Sequence, residues 1–306
     1  SVVIPVASWD TGIIVTVTGV DDFIIDGDIN YSLITGNVTS TDTNYNALNG
    51  GDVANVAVTN NDNDVAGVNV NTTTGTTTEA GGTATFIYTL TSQPTANVVL
   101  EVDQYDNTET SGPSIITITP SNWNTGVPLT ITGLDDDTID GDIDDDIRVR
   151  IDNSADSDYD SLNNGDVPDV VVTNLDDDVA GVNVSVISGN TTEAGGTATF
   201  TITLESQPTN NVTIALSSSD TSEGTVAASV VKTPANWNLA TAVTVTGVDD
   251  AEVDGDVAYT IVTGNVTSGD ANYNALNGGD VGNVAVINTD NDALGVNISP
   301  ISGNTT

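Results

Sequence analysis

Apolar side chains recur at every second position in short runs along this chain. Between residues 179 and 292, Val182, Val184 and Val186 share one face. Ala198, Phe200, Ile202 and Leu204 do the same, with Thr197, Thr199, Thr201 and Thr203 opposite them. Val212, Ile214 and Leu216 follow, then Val243 and Val245, then Val257, Tyr259 and Ile261, then Val284 and Val286. A further short stretch at 226–231 completes the set. A period of two is the signature of a strand with one buried face, and no apolar stripe at helical spacing competes with it. Gly195-Gly196, Gln207-Pro208, Asn236-Trp237-Asn238, Asp254-Gly255-Asp256 and Asn277-Gly278-Gly279-Asp280 punctuate the runs as turns. The pattern predicts an all-β chain built from seven short antiparallel strands per unit, folded as an immunoglobulin-like two-sheet sandwich. Trp237 is expected to cap the core at the entry to the Val243 strand.

The pattern repeats. Trp9, Trp123 and Trp237 are 114 residues apart, and so are Asp62-Asn63-Asp64, Asp176-Asp177-Asp178 and Asp290-Asn291-Asp292. Thr78-Glu79-Ala80-Gly81-Gly82-Thr83 returns as Thr192-Glu193-Ala194-Gly195-Gly196-Thr197, and segment 17–64 reappears at 245–292. A period this long is too large for a solenoid coil and matches a whole sandwich domain. The expected organisation is the rear part of one repeat (1–64), complete repeats at 65–178 and 179–292, and the first strand of another (293–306), arranged end to end. No linker separates them, since Asp176-Asp177-Asp178 runs directly into Val179-Ala180-Gly181-Val182.

Composition sharpens the picture. The 306 residues hold 44 acids against three bases (Arg148, Arg150 and Lys232), with no histidine and no cysteine. Such a chain offers no basic face for nucleic acid and is repelled by anionic membranes. Triads, thiol catalysis, disulfides and imidazole or thiolate metal sites are excluded. No apolar run is long enough to span a membrane, and the N-terminus shows no signal peptide. Disorder is the default for an acidic, aromatic-poor chain. Here 37% of residues are hydrophobic and lie in alternating runs, which favours a fold.

The acids cluster. Each repeat carries a glutamate after its first strand (Glu79, Glu193), a central loop and a terminal run. The central loops are Asp21 and Asp22 with Asp26 and Asp28; Asp135, Asp136 and Asp137 with Asp140 and Asp142; and Asp249 and Asp250 with Glu252, Asp254 and Asp256. The terminal runs are Asp62 with Asp64, Asp176 to Asp178, and Asp290 with Asp292. Alternating strands bring every second loop to the same pole, so these segments can converge. Carboxylates a few ångströms apart repel strongly, and three bases cannot neutralise them. A hard divalent cation can, and Ca²⁺ accepts six to eight oxygens from separate loops with more tolerance than Mg²⁺. The EF-hand pattern is absent. The scattered acids Asp10, Asp42, Asp160 and Asp270 read as solubilising surface charge. Arg148 and Arg150 are expected to pair with Asp144 or Asp146 on their own strand.

Thr192-Glu193-Ala194-Gly195-Gly196-Thr197-Ala198-Thr199-Phe200, Thr244-Val245-Thr246-Gly247-Val248-Asp249-Asp250 and Asn288-Thr289-Asp290-Asn291-Asp292 together resemble a Calx-beta domain, and in particular the tandem Calx-beta-like repeats of large bacterial surface proteins. The resemblance implies seven-stranded sandwiches that bind several Ca²⁺ ions at one pole, next to the following domain. It assigns Glu193, Asp249, Asp250, Glu252 or Asp254, Asp290 and Asp292 as ligands, with Glu79, Asp135, Asp136 and Asp176 to Asp178 in the preceding repeat. It adds Asp106 and Asp220 as further loop aspartates. Asn63 and Asn291 interrupt the terminal run and remove a charge from it.

The function expected from these features is structural. The chain reads as a Ca²⁺-stiffened stalk, adhesin shaft or filament subunit outside a bacterial cell, and not as an enzyme. Paired carboxylates can hydrolyse glycosides, but here they repeat in every domain with few aromatics to form a sugar cleft. The alternative is an adhesive module with a specific ligand of its own. Expected partners are Ca²⁺, neighbouring repeats and other copies of the chain through strand addition or filament formation.

Overall fold

The computed structural model describes residues 1–103, 106–300 and 302–303. It divides into two compact units. The first comprises 1–77, 82–133 and 144–173, and the second 78–81, 134–143 and 174–306.

In the first unit, a four-stranded sheet runs in the order Val68–Val70, Thr83–Leu90, Val127–Gly133, Thr110–Ser111. A five-stranded sheet, all but the ends of three of its strands in this unit, runs Thr74–Thr78, Val170–Leu175, Ile143–Ser154, Val98–Asp103, Ile115–Ile118. Phe86, Tyr88, Leu129 and Ile131 from one sheet and Leu100, Ile118, Val149 and Val172 from the other form a single buried core. The segment before this sandwich contributes one antiparallel pair, Ile29–Leu33 with Val56–Asn60. Ile13, Ile14, Val15 and Val17, the counterparts two repeats earlier of Thr241, Ala242, Val243 and Val245, are exposed and lie outside any strand.

The second unit repeats the architecture. One sheet is ordered Val182–Val184, Thr197–Leu204, Thr241–Gly247, Gly224–Val226, and the other Thr191–Thr192, Val284–Thr289, Val257–Ser268, Val212–Ser218, Ser229–Lys232. Ala198, Phe200, Ile202 and Leu204 are buried while Thr197 and Thr199 are exposed, as the alternation predicts. Trp237 packs against this core and its carbonyl accepts the Leu204 N–H at 3.0 Å.

The nine strand segments arise because two expected strands each divide between the sheets. Val182–Val184 pairs antiparallel with Thr197–Leu204, whereas Thr191–Thr192 crosses over and pairs parallel with Asn288 and Thr289. Val186, in the crossing, is 91% exposed rather than part of the apolar face. The stretch at 226–231 splits in the same way, into Gly224–Val226 and Ser229–Lys232. Among the described residues, 293–300 and 302–303 carry no strand; the rest of the expected strand at 293–306 lies outside the described residues.

Two expectations are corrected. Arg150 pairs not with Asp144 or Asp146 but across the sheet, with Glu101 at 3.0 Å and Asp103 at 2.9 Å. Glu101 is its direct register partner, and a cross-strand neighbour lies closer than a residue two or four positions along the same strand. Asp270 is not solubilising surface charge but buried, 6% exposed. It caps the short helix Ala271–Asn274 by accepting from the Asn272 and Tyr273 N–H groups, and it accepts from Thr209 N–H and hydroxyl at 2.8 and 2.9 Å. Asp156 does the same for Ser157–Asp160, with Thr95 as its partner. The exposed Asp42 caps Thr43–Asn46.

Candidate metal centre

The acidic pole is built by one turn, repeated. The first aspartate of each terminal run holds the central loop with one carboxylate oxygen and its own turn with the other. Asp290 Oδ2 accepts the Gly255 N–H at 2.8 Å, and its Oδ1 accepts the Asp292 N–H at 2.6 Å. Asp176 binds Gly141 and Asp178 at 2.8 Å each, and Asp62 binds Gly27 at 2.7 Å and Asp64 at 2.9 Å. Gly27, Gly141 and Gly255 sit at φ of 74°, 83° and 79°, a conformation that L side chains resist and that turns the amide toward the aspartate. These N–H donors hold the Asp290 and Asp62 carboxyls below the ordinary aspartate range.

The glutamate after the first strand enters from the side. Glu79 and Glu193 are buried, and they accept the Asp177 N–H at 3.2 Å and the Asn291 N–H at 3.0 Å. Their carboxylates thereby face the terminal run. Glu79, Asp176 and Asp178 each present an oxygen within 4.8 Å of the others, and so do Glu193, Asp290 and Asp292. Calcium–oxygen bonds of about 2.3–2.6 Å accommodate ligand oxygens at that spacing. In both groups one oxygen, Asp178 Oδ2 or Asp292 Oδ2, is buried without a hydrogen-bond partner among the described residues. A desolvated carboxylate oxygen with no donor is costly to keep, and a bound cation removes that cost.

Protonation is the alternative, and the pole leans toward it when metal-free. Burial, then the charges of Asp176, Asp136 and Asp178, pushes the Glu79 carboxyl up to about 7. Burial and the neighbouring aspartates push Asp178 up to about 6. At Glu193 the Asn291 N–H pulls the carboxyl down, but burial and the charges of Asp290, Asp250 and Asp292 prevail and raise it. Asp140 is raised by burial and by Asp136 and Asp176, and Asp64 by burial and by Asp62, Asp21, Asp22 and Asp26.

The two complete repeats differ at the middle of the terminal run. In the first, Glu79 also gathers with Asp135 and Asp177, giving a second group of three oxygens within 4.8 Å. In the second, Asn291 stands where Asp177 would, and its amide donates to Asp249 Oδ1 at 3.2 Å. The amide supplies the positive end that the carboxylate pair would need from an ion. Asn63 makes the same replacement in the segment before. There, Asp21, Asp22, Asp26, Asp62 and Asp64 line an acidic cleft of about 630 Å³.

Other sequence-derived candidates sit as follows. Asp22, Asp136 and Asp250 each accept the N–H two residues on, shaping the tip of the central loop. Glu252 is exposed and joins no group among the described residues. Asp106 and Asp220 are also outside every group. Asp220 accepts from Ser222 N–H and hydroxyl, and Asp106 accepts from both donors of Thr108. These turns present Glu109 and Glu223, both buried, which sequence reasoning passed over. Glu223 gathers with Asp250 and Asp254 within 4.8 Å. The signal was available, since Glu109 and Glu223 keep the 114-residue step three positions after Asp106 and Asp220.

No protein-family model matches the chain, and no curated protein matches it. Among solved structures it is similar to CBD12 from CALX1.2, at 15% identity and a TM-score of 0.29, over 67% of this chain and 82% of that one. It is similar to the calcium binding domain CBD12 of CALX1.1, at 16% identity and a TM-score of 0.30, over 65% and 80%. It is also similar to domains 4 and 5 of the S-layer protein SbsC, at 15% identity and a TM-score of 0.26, over 74% and 96%. Similarity this low carries no functional inference. Among the described residues no helix is long and apolar enough to cross a membrane.

Proposed function

We propose that this chain is a non-catalytic, extracellular structural protein whose sandwich repeats are stiffened by Ca²⁺ at their acidic poles, serving as a stalk, adhesin shaft or filament subunit at a bacterial cell surface. The observation that carries the reading is the pair of buried, partnerless oxygens of Asp178 and Asp292. Each lies in a cluster of the same geometry, and each cluster lacks a basic side chain. Glu79, Asp135, Asp176, Asp177 and Asp178 would hold ions in one repeat, and Glu193, Asp290, Asp292, Glu223, Asp250 and Asp254 in the next.

The mechanism is linkage. An ion that binds only the ordered loops stabilises them, by an amount that grows with the ratio of free ion to dissociation constant. Extracellular modules of this kind work with weak sites, because Ca²⁺ outside cells is abundant. The near-identity of 17–64 and 245–292 supports a spacer, since a specific ligand site would break the repetition. Thermal unfolding and hydrodynamic radius, each measured in millimolar Ca²⁺ and in excess EGTA, test the proposal. A lower melting temperature and a larger radius on chelation are expected; no change in either would overturn it.

A further inference from the structure

The tips of the first two central loops each make a contact that metal chemistry does not require. In the first unit, the Phe23 carbonyl accepts the Gln93 N–H at 2.7 Å, and the Phe23 ring meets the Trp123 ring at a centroid distance of 5.4 Å and a tilt of 49°. In the second unit, the Asp137 carbonyl accepts the Gln207 N–H at 2.6 Å. Phe23 and Asp137 occupy the same position of the repeat, as do Gln93 and Gln207, and Trp123 and Trp237. The receiving surface is braced from within its own repeat. The Gln93 side chain donates to the Pro120 carbonyl at 3.0 Å and that of Gln207 to the Pro234 carbonyl at 2.9 Å, tying each glutamine to the turn that carries its tryptophan. Both tryptophans pack on their cores.

The tip and the candidate metal ligands share one turn. Asp22 Oδ1 accepts the Ile24 N–H at 2.9 Å, and Asp136 Oδ1 accepts the Thr138 N–H at 2.5 Å, so the docked residue is the centre of a turn closed by a candidate ligand. An ion that fixes Asp22 therefore also fixes the residue that meets Trp123. The tip varies in an otherwise repetitive sequence: Phe23, Asp137, Ala251.

We infer that the Gln93–Trp123 surface, and its counterpart Gln207–Trp237, is a receptor for the acidic loop of the preceding sequence repeat, and that Phe23 stacking on Trp123 couples that contact to cation binding by the Asp21–Asp26 loop. The inference rests on the calcium reading above and adds a second site to it. Coupling is reciprocal, so removing the stack must weaken the ion as surely as removing the ion loosens the stack. Phe23 is 56% exposed, so replacing it leaves the core intact.

The test uses the full chain with Trp9→Phe and Trp237→Phe, leaving Trp123 as the only indole, and compares Ca²⁺ uptake by equilibrium dialysis with Trp123 emission. Emission should shift in step with uptake. Phe23→Ala should abolish the shift and weaken one class of site about 2- to 12-fold, the range an aromatic pair supports. In a second chain retaining only Trp237, Asp137→Phe should create a Ca²⁺-dependent shift that the parent lacks. Uptake without any change at Trp123, or with affinity unaltered by Phe23→Ala, would overturn the coupling and leave the calcium reading standing. No uptake at all would overturn both.

Discussion

The amide nitrogen of Gly255 lies 2.8 Å from Oδ2 of Asp290, so that one hydrogen bond joins the central loop to the end of the last strand. The bond exists because Gly255 holds φ at 79°. Gly255→Ala should cost about 1 kcal/mol through the left-handed conformation alone, in chelator as well as in Ca²⁺. No neighbour lies within 4 Å of an added Cβ, so the loss is conformational rather than steric. Chemical denaturation with and without Ca²⁺ checks it. A variant as stable as the parent would show that the loop does not depend on this turn.

The Asp177-for-Asn291 difference predicts ion stoichiometry. Asp177→Asn should remove one bound Ca²⁺ per chain, because its group with Glu79 and Asp135 loses a carboxylate. Asn291→Asp should add one, replacing the amide that now donates to Asp249. Isothermal titration of both variants against the parent measures the change directly, and unaltered stoichiometry in either would refute the assignment.

The raised carboxyls fix the sign of a pH effect. A carboxyl with a folded pKa above its unfolded value takes up protons on folding, so its stabilisation is present at low pH and lost as pH rises. For Glu79 the loss runs from about 4.5 to about 7, and for Asp178 from about 3.8 to about 6. In chelator the melting temperature should therefore fall between pH 5 and pH 7.5. In Ca²⁺ the trend should flatten or reverse, because deprotonation creates the ligand. Asp156 and Asp270 work in the opposite sense. Burial raises their carboxyls, but the donors from Thr95 and Thr209 and from the capped helices outweigh it and hold them low. Their contribution persists at neutral pH and disappears in acid, as pH falls below the ordinary aspartate value and through the depressed one.

The alternation of 197–204 was legible at once, since each apolar residue there is buried and every threonine faces outward or half out. The acidic pole was legible too, because the repeat marks Glu193 and Asp290 as fixed points of a 114-residue frame. What local pattern could not convey was partnership across strands. Arg150 sits four residues from Asp146, yet the sheet places Glu101 opposite it. Asp270 looks like any surface acid until Thr209, 61 residues earlier, is folded against it. Glu223 stands alone among serine, threonine and glycine, and only the sheet brings Asp250 and Asp254 to it.

The Tyr273 hydroxyl donates to the Ser206 carbonyl at 2.7 Å and accepts the Ser206 N–H at 3.1 Å, both groups being buried. Tyr273→Phe leaves both Ser206 groups without that partner and should cost about 1–3 kcal/mol. Tyr159→Phe should cost a similar amount, since Tyr159 makes the same contacts with Ser92. Equilibrium unfolding of the two variants measures both.

Lys232 is buried with its ammonium on the carbonyls of Ile202 and Leu239 and on the Thr241 hydroxyl at 3.0 Å, while Ile118 fills the same position one repeat earlier. Burial lowers its pKa, so the folded state sheds the proton first and stability should rise as pH climbs toward the ordinary lysine value. Lys232→Ile should keep the fold and abolish that alkaline rise in a pH series of thermal melts.

The parallel pairing of Thr191 and Thr192 with Asn288 and Thr289 bears on how a repeat responds to pulling. Thr191–Thr192 lies near the start of the repeat and Asn288–Thr289 at its end, and the two point the same way. Tension on the chain drags them past each other lengthwise, so their hydrogen bonds and the adjoining Glu193-to-Thr289 bond are loaded together rather than one at a time. The carboxylates of Glu193, Asp290 and Asp292 gather at the end of that same patch. A cation seated among them would act as a rivet through the seam that tension must shear before the sandwich can open.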